Sequence, residues 1–366
     1  MKGRTGESRV VDNITSRLRQ EVKVEWARLF LTNRTVLMIV LLIVVLVTFS
    51  TADRLGALNG EFNSDYLAFS LINLVPMGML ALAQLLVILS GGGGIDLSVG
   101  SIVTLAGMVF GFMYGLWGWP LWLALLSTVL FGSLCGLVNG ALVAYAGFPP
   151  LIVTLATYYA LWSIALTING QQPISTPPIQ SMYDLSRNVE LPLWLGGEYL
   201  PLVPRSTFLF LIPTVAVVWF LVSKTTYGRR LYAIGTNDVA AAWSGVNVAR
   251  IRASAYVGSG TISGLVAIVT VSQFASARPD SGVSGNGMAL PAITIALLGG
   301  VAITGGIGTV MGVLLAGLVI IWLNAGIILA FQGNVSGQVQ LLVLGLLLVI
   351  SALLNGYTSR KYGGTQ

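Results

Sequence analysis

Few residues of this sequence could do chemistry, and most of those are neutral. The chain of 366 residues has no histidine, the commonest metal ligand and the commonest proton shuttle near neutral pH. Its single cysteine, Cys135, lies in an apolar run and cannot form an intrachain disulfide. The glycine-rich stretch 305–308 lacks the lysine of the GxxxxGK[ST] loop that cradles nucleotide phosphates. We therefore expect no catalytic, metal or nucleotide site on this chain, and any ATP that drives it must bind another subunit.

Asp96 is the only formally charged residue that the pattern places among the apolar stretches. An ionisable group inside a membrane is costly and is by default a functional candidate. The alternative is that Asp96 caps the following helix, whose free N–H groups and dipole stabilise a carboxylate. Both roles can hold if the cap also shapes a cavity.

Neutral polar residues at similar positions complete the predicted translocation path. Each is more often an interhelical hydrogen-bond partner than a ligand contact. As a set, amides and hydroxyls suit a neutral polyhydroxylated solute better than an ion. With Asp96, the candidates are Asn73, Gln84, Ser98, Asn139, Thr154, Gln273 and Asn324.

The elements that position these residues must lie in lipid. Hydrophobic residues make up 55% of the chain and charged residues 9%, whereas a soluble domain has about 25% charged residues. A spanning helix needs roughly 20 apolar residues, and ten runs qualify, the eighth conspicuously short. The sequence therefore predicts an all-α polytopic membrane protein with spans at 35–51, 67–88, 97–116, 120–146, 149–168, 207–223, 253–274, 289–304, 309–331 and 338–355.

The distribution of basic residues predicts the orientation and the domains. Lysines and arginines concentrate in the tail 1–34, in 224–252 and at the C-terminus, and only four arginines fall in the opposite loops. Because cytoplasmic loops carry this excess, both termini are expected inside. Residues 1–34 are predicted as a cytoplasmic basic amphipathic tail, 35–355 as the transmembrane domain and 356–366 as a cytoplasmic tail. The tail's apolar stripe comprises Ile14, Leu18, Val22, Trp26 and Leu29.

Two loops are longer than ordinary connections. The outer loop 169–206 is rich in proline and is expected to be ordered but largely non-helical; it is either a docking surface or lid, or a plain connection. The inner loop 224–252 contains an alanine-rich stretch that Asn237 or Asp238 can cap and Gly245 can end. A short cytoplasmic helix between two spans would suit a partner protein.

Two glycine breaks interrupt the apolar pattern, at Gly91–Gly94 and at Gly305–Gly308. An offset of 212 residues superposes the breaks and also places Gly100 on Gly312. The offset crosses six predicted spans, so the two halves would repeat with the same orientation in the membrane. Matched interruptions in two halves indicate a central binding site.

Several motifs in order resemble one family. They are Gly93-Gly94-Ile95-Asp96-Leu97-Ser98-Val99-Gly100-Ser101, the stretch 150–157, the stretches 226–229 and 232–246, and the C-terminal stretches 298–300 and 305–312. Together they resemble the permease subunits of bacterial sugar ABC importers, the branch that includes ribose, xylose and galactofuranose systems. The stretch 288–293, Met-Ala-Leu-Pro-Ala-Ile, departs from the acidic sequence usual there, which puts the usual polar contacts near the eighth span in doubt.

The resemblance implies an inner-membrane permease that works by alternating access. Its partners would be a second permease subunit, identical or paralogous, ATP-binding subunits carrying ATP and Mg²⁺, and an external sugar-binding protein; no nucleic acid is implied. The loop 224–252 would be the segment that seats in the ATPase. Its implied coupling residues are Gly228, Arg229, Gly235, Asn237, Ala240, Ala241 and Gly245.

Two other functions remain open on the sequence. A secondary carrier or facilitative channel for small polyols would also use glycine-broken helices, although relay residues are missing and the inner loop favours a partner. The chain could also be an exporter or scaffold subunit of another ATP-driven complex. The predicted function is the permease of an ATP-driven sugar importer.

Overall fold

The computed structural model describes residues 34–189, 201–283 and 287–362. The predicted amphipathic helix of the N-terminal tail lies outside these residues. The described chain is built from helices, with one two-stranded antiparallel sheet in the outer loop, β1 (Asn188–Val189) and β2 (Val203–Pro204). The helices are α1 (Arg34–Arg54), α2 (Ser64–Leu89), α3 (Val99–Phe110), α4 (Leu121–Ala144), α5 (Pro150–Thr167), α6 (Pro177–Ser181), α7 (Ile212–Lys224), α8 (Thr226–Thr236), α9 (Asp238–Trp243), α10 (Val248–Phe274), α11 (Ala289–Leu298), α12 (Val310–Ala330) and α13 (Asn334–Tyr362).

Nine helices in the described ranges are long and apolar enough to cross a membrane. A π-helical turn at Gly111–Leu116 extends α3, and another at Thr207–Leu211 precedes α7. The prediction of a tenth spanning helix at 289–304 is wrong, because α11 has only 10 residues. At 1.5 Å per residue it rises about 15 Å, half of a hydrocarbon core of about 30 Å.

The described residues that precede α11, 275–283 and 287–288, are non-helical. Near the start of the first range, Ala277 pairs with Ile174 through two backbone hydrogen bonds of 2.9 Å. Further on, the Gly282 N–H donates to the Thr104 hydroxyl of α3 at 2.9 Å. We call residues 275–283 the descending segment. It runs along α3 from the level of Gly111, which Ala277 contacts, to the level of Thr104.

The centre of the bundle is formed by α2, α3 and α10, whose most apolar windows are 78%, 67% and 72% buried. The outer helices α1 and α13 are 6% buried over the same length, which leaves their apolar side chains for lipid. Close approach of α4 and α10 depends on glycine, since a Cβ at Gly136 would overlap the Tyr256 carbonyl oxygen. Such small residues let helix backbones pack in direct contact, and this packing stabilises helix association in lipid, where the hydrophobic effect does not.

Candidate functional site

A buried polar network surrounds Asp96, in the turn between α2 and α3. Its Oδ1 atom accepts hydrogen bonds from the Ser98 N–H at 3.0 Å and the Ser98 hydroxyl at 2.6 Å. Its Oδ2 atom accepts from the Ser259 hydroxyl of α10 at 2.8 Å. The Asn139 amide of α4 donates to Ser98 Oγ at 2.8 Å. All four residues are 0% exposed. The turn, α4 and α10 together therefore bury this carboxylate.

Two further residues hold the backbone of the same turn. The Gln84 side chain donates to the Asp96 carbonyl at 2.6 Å and accepts from the Asp96 N–H at 3.3 Å. The Thr154 hydroxyl lies 3.2 Å from the Ile95 carbonyl oxygen. Non-helical backbone at membrane depth needs such partners, and these side chains supply them.

The network therefore braces the turn that begins α3. The Asp96 carboxylate bonds an N–H near that helix start, as the capping alternative expects, although Ser98 occupies the cap position itself. A direct contact of Asp96, Ser98, Gln84, Asn139 or Thr154 with solute stays a prediction. Ser259 was missed, because it is one of four serines in α10 and the sequence does not show which of them contacts Asp96.

The remaining predicted path residues lie elsewhere. Asn73 is exposed on α2. The Gln273 amide donates to the Ile72 carbonyl at 2.7 Å, joining the outer part of α10 to α2. Asn324 is half-buried on α12. Most of the residues on which the prediction of a polyhydroxylated solute rests therefore bond to one another or to the backbone of the turn in the polar network around Asp96.

The two glycine breaks meet each other, at the end where α2 finishes and α12 begins. The Gly306 N–H donates to the Leu89 carbonyl at 3.2 Å. Gly91 and Gly306 have φ angles of +70° and +73°, a left-handed conformation that favours glycine. Gly235 of α8 packs into the same point, since a Cβ there would overlap the Leu89 carbonyl and the Gly306 amide. We call this three-way contact the glycine junction.

The inner loop is more helical than its sequence predicts. The alanine-rich helix is α9, and Asn237 caps it by accepting from the Ala240 N–H at 2.9 Å. Gly245 follows the end of α9 with φ of +81°, as expected of a glycine that ends a helix. The additional helix α8 was not predicted; Thr225 is its N-cap, and its side chain accepts from the Gly228 N–H.

Some of the predicted coupling residues on and beside α8 and α9 are buried, and others are exposed. Gly228 and Ala241 are buried, and Gly228 packs so closely that a Cβ would overlap the Val222 carbonyl. Arg229, Asn237, Ala240 and Gly245 are exposed. Their role in coupling stays a prediction, but the exposed residues are available to a partner.

Two side chains that the sequence did not single out tie α8 and α9 to the glycine breaks. The Tyr232 hydroxyl donates to the Gly308 carbonyl at 2.7 Å. Burial raises the pKa of Tyr232 above its ordinary value. The Arg252 Nη2 atom lies 3.2 Å from Asp238 Oδ2 and 3.4 Å from the Ser90 carbonyl oxygen. Arg252 therefore links the first residue of α9 to the first break.

The far side of α9 presents large apolar side chains away from the bundle. Trp243 is 89% exposed and Val239 62% exposed. They border a shallow groove with Asp238, Ala242 and Val248. Exposed aromatic and aliphatic anchors on a short helix are typical of a protein interface.

Among the described residues, no cluster of histidine, cysteine, aspartate and glutamate could hold a metal ion.

Comparison with known proteins gives one consistent assignment. Residues 66–352 match the family described as the permease component of the branched-chain amino acid transport system. The chain is 38% identical over 296 residues to the autoinducer 2 import system permease protein LsrD of Klebsiella pneumoniae, covering 81% of this chain and 85% of that protein. The LsrD proteins of Escherichia coli (strain SMS-3-5) and Salmonella paratyphi B are 34% and 33% identical, covering 81% and 78% of this chain and 85% and 82% of theirs. No solved structure matches the chain.

Proposed function

The chain belongs to the permease family of the branched-chain amino acid transport system, and from this membership we propose how it couples ATP hydrolysis on its partners to solute movement. It is the membrane permease of a sugar-type ATP-driven importer and a multi-pass protein of the inner membrane. Permeases of this family work with ATP-binding and solute-binding partners, and the permease itself is not an enzyme. A secondary carrier or channel is not favoured.

In the proposed mechanism, α9 seats in an ATPase subunit that binds ATP and Mg²⁺, and a second permease subunit completes the transport pathway. An external binding protein delivers the solute. Movement of the ATPase would be passed from α9 to both glycine breaks through the glycine junction. The observation that carries this proposal is the contact of Gly235 with Leu89 and Gly306, because it joins the partner-facing helices to the end of α2 and to the glycine break before α12.

For the solute, the relatives supply the most specific guide. Their names state that they import autoinducer 2. We propose that this chain carries autoinducer 2 or a similarly small polyhydroxylated molecule. Uptake of labelled autoinducer 2 and of ribose by the assembled importer distinguishes the two.

The coupling proposal is tested by Gly235→Ala in the complete importer in proteoliposomes. The added methyl would overlap backbone at the glycine junction, so we expect at least a tenfold loss of ATP hydrolysis stimulated by loaded binding protein. Gly337→Ala in α13 is the matched control, since no atom of the described part of the chain lies within 4 Å of a Cβ there. Membrane insertion should be unchanged in both variants. Stimulated hydrolysis that survives Gly235→Ala, or nucleotide-independent transport by the purified chain alone, would contradict the proposal.

A further inference from the structure

An ion pair lies in the descending segment, between Arg278 and Asp280. The outer end of α3 is marked by Trp117, which is 61% exposed, and tryptophans gather at membrane interfaces. Ala277 packs against Gly111, and Gly282 is bonded to Thr104. By helical rise, Gly111 and Thr104 lie about 9 Å and about 20 Å from Trp117 along the helix axis. The ion pair lies between them, within a hydrocarbon core of about 30 Å.

The side chains of this pair are partly exposed. The Arg278 and Asp280 side chains are 41% and 37% exposed, whereas their neighbours Ala277 and Gly282 are buried. Charged side chains and non-helical backbone at this depth are tolerated where they line a water-filled cavity. The exposed sides of Arg278 and Asp280 are therefore expected to border the aqueous path, in the outer half of the membrane.

The pair is held in place beside an aromatic ring. Arg278 Nε lies 3.4 Å from Asp280 Oδ1, and the guanidinium carbon lies 5.0 Å from the centre of the Phe274 ring. The Phe274 side chain is itself 46% exposed. The adjacent Ser281 hydroxyl oxygen is buried and has no hydrogen-bond partner among the described residues. The cluster thus offers charged donors, charged acceptors, a free hydroxyl and an apolar ring face.

We propose that Phe274, Arg278, Asp280 and Ser281 form a solute-binding site in the outer half of the path, for a neutral polyhydroxylated molecule. This inference rests on the proposed function. Solute hydroxyls would donate to the Asp280 carboxylate and accept from the Arg278 guanidinium, and charge-assisted bonds of this kind are the stronger ones. The C–H face of the solute would pack on Phe274. A neutral solute fits because the two charges already balance each other.

A second ion pair of the same residue types gives a matched control. Arg187 and Asp184 lie 3.5 Å apart on the outer loop, with side chains 57% and 65% exposed. Asp184 lies in a 3-10 helical turn, Met182–Leu185, and Arg187 follows it. Removing a charge there changes the outer surface but leaves the proposed site intact.

The test uses the complete importer in proteoliposomes with labelled autoinducer 2 and labelled ribose as probes. Arg278→Gln and Asp280→Asn should each lower ATP-driven uptake at least tenfold at limiting solute. Hydrolysis stimulated by loaded binding protein should stay within twofold of wild type, because the coupling contacts are elsewhere. Arg187→Gln and Asp184→Asn should leave uptake per ATP unchanged. Uptake that persists in both site variants, or that falls only in parallel with stimulated hydrolysis, would overturn the inference.

A second measurement separates this inference from the proposed function. If the wild-type complex shows no ATP-driven uptake of either probe, the proposed function fails. The site is then decided by thermal unfolding of the purified permease in detergent with millimolar ribose or autoinducer 2. A solute-dependent rise in melting temperature in wild type and Asp184→Asn, but not in Asp280→Asn, supports the site. No rise in any of them, or an equal rise in all, refutes it.

Discussion

The polar network around Asp96 and the ion pair of the descending segment both place a carboxylate inside the bundle, but they differ in what completes their bonds. Around Asp96 each carboxylate oxygen is bonded by protein groups, and the residue is fully buried. Asp280 has one ion-pair partner and leaves more than a third of its side chain exposed. The difference indicates that the first region braces the fold and the second is available to solute.

We expect the two regions to differ most in how much they contribute to the stability of the folded permease. The comparison is between the variants Asp96→Leu and Asp280→Leu. Removing the Asp96 carboxylate leaves the Ser98 N–H and two serine hydroxyls without their acceptor, at a cost of about 1–3 kcal/mol per buried group. We expect Asp96→Leu to abolish a monodisperse folded permease in detergent. Asp280→Leu should shift the melting temperature little, while uptake falls. Size-exclusion profiles and thermal unfolding make the measurement.

The conservative variant Asp96→Asn sharpens this comparison. Its side-chain oxygen can still accept from Ser98, and the Ser259 hydroxyl can rotate to accept from the amide. Folded protein should therefore be recovered. Equal stability of Asp96→Leu and Asp280→Leu would show that the two regions do not differ as described.

An intermediate effect is expected at the link between α9 and the first glycine break. Arg252→Met removes the bonds to Asp238 and to the Ser90 carbonyl, so stimulated ATP hydrolysis should fall about tenfold with insertion preserved. That corresponds to about 1.4 kcal/mol of coupling. Arg250→Met is the control, because Arg250 is exposed two residues away. Similar hydrolysis by both variants would place the coupling elsewhere.

The smallest effect is expected at the edge of the closed network. Thr154→Val removes one long hydrogen bond to Ile95 and one to its own helix at Pro150. Loss of a single neutral bond costs about 1 kcal/mol, so the melting temperature should fall by a few degrees and uptake per ATP should not change. Thr157→Val removes only bonds within α5 and should have less effect. Loss of uptake in Thr154→Val at normal stability would give Thr154 a role in the path.

Local sequence rules account for much of the architecture. Runs of apolar residues predict ten spanning helices, and nine helices among the described residues are long and apolar enough to span. Asn237 and Gly245 predict the start and end of α9, because capping depends on a few neighbouring residues. Asp96 and both glycine breaks are likewise visible in the sequence. The family follows from the order of these motifs, and the comparisons confirm it.

The errors arise where a residue's role depends on distant partners. Residues 289–304 are apolar enough for a predicted span, but α11 ends at Leu298 and residues 299–309 are non-helical. Arg278 and Asp280 look like loop residues until Ala277 and Gly282 are seen packed along α3. Polar residues in apolar helices similarly give no sign of whether they bond one another or face a cavity.

Thiol labelling tests the central claim most directly. The native Cys135 is buried, so the wild-type importer serves as a blank for a membrane-impermeant maleimide applied from outside to the ATP-driven complex. The account predicts that Asp280→Cys is labelled and is protected by solute, whereas Ser98→Cys is not labelled. An unreactive Cys at position 280, or equal labelling at positions 98 and 280, would contradict it.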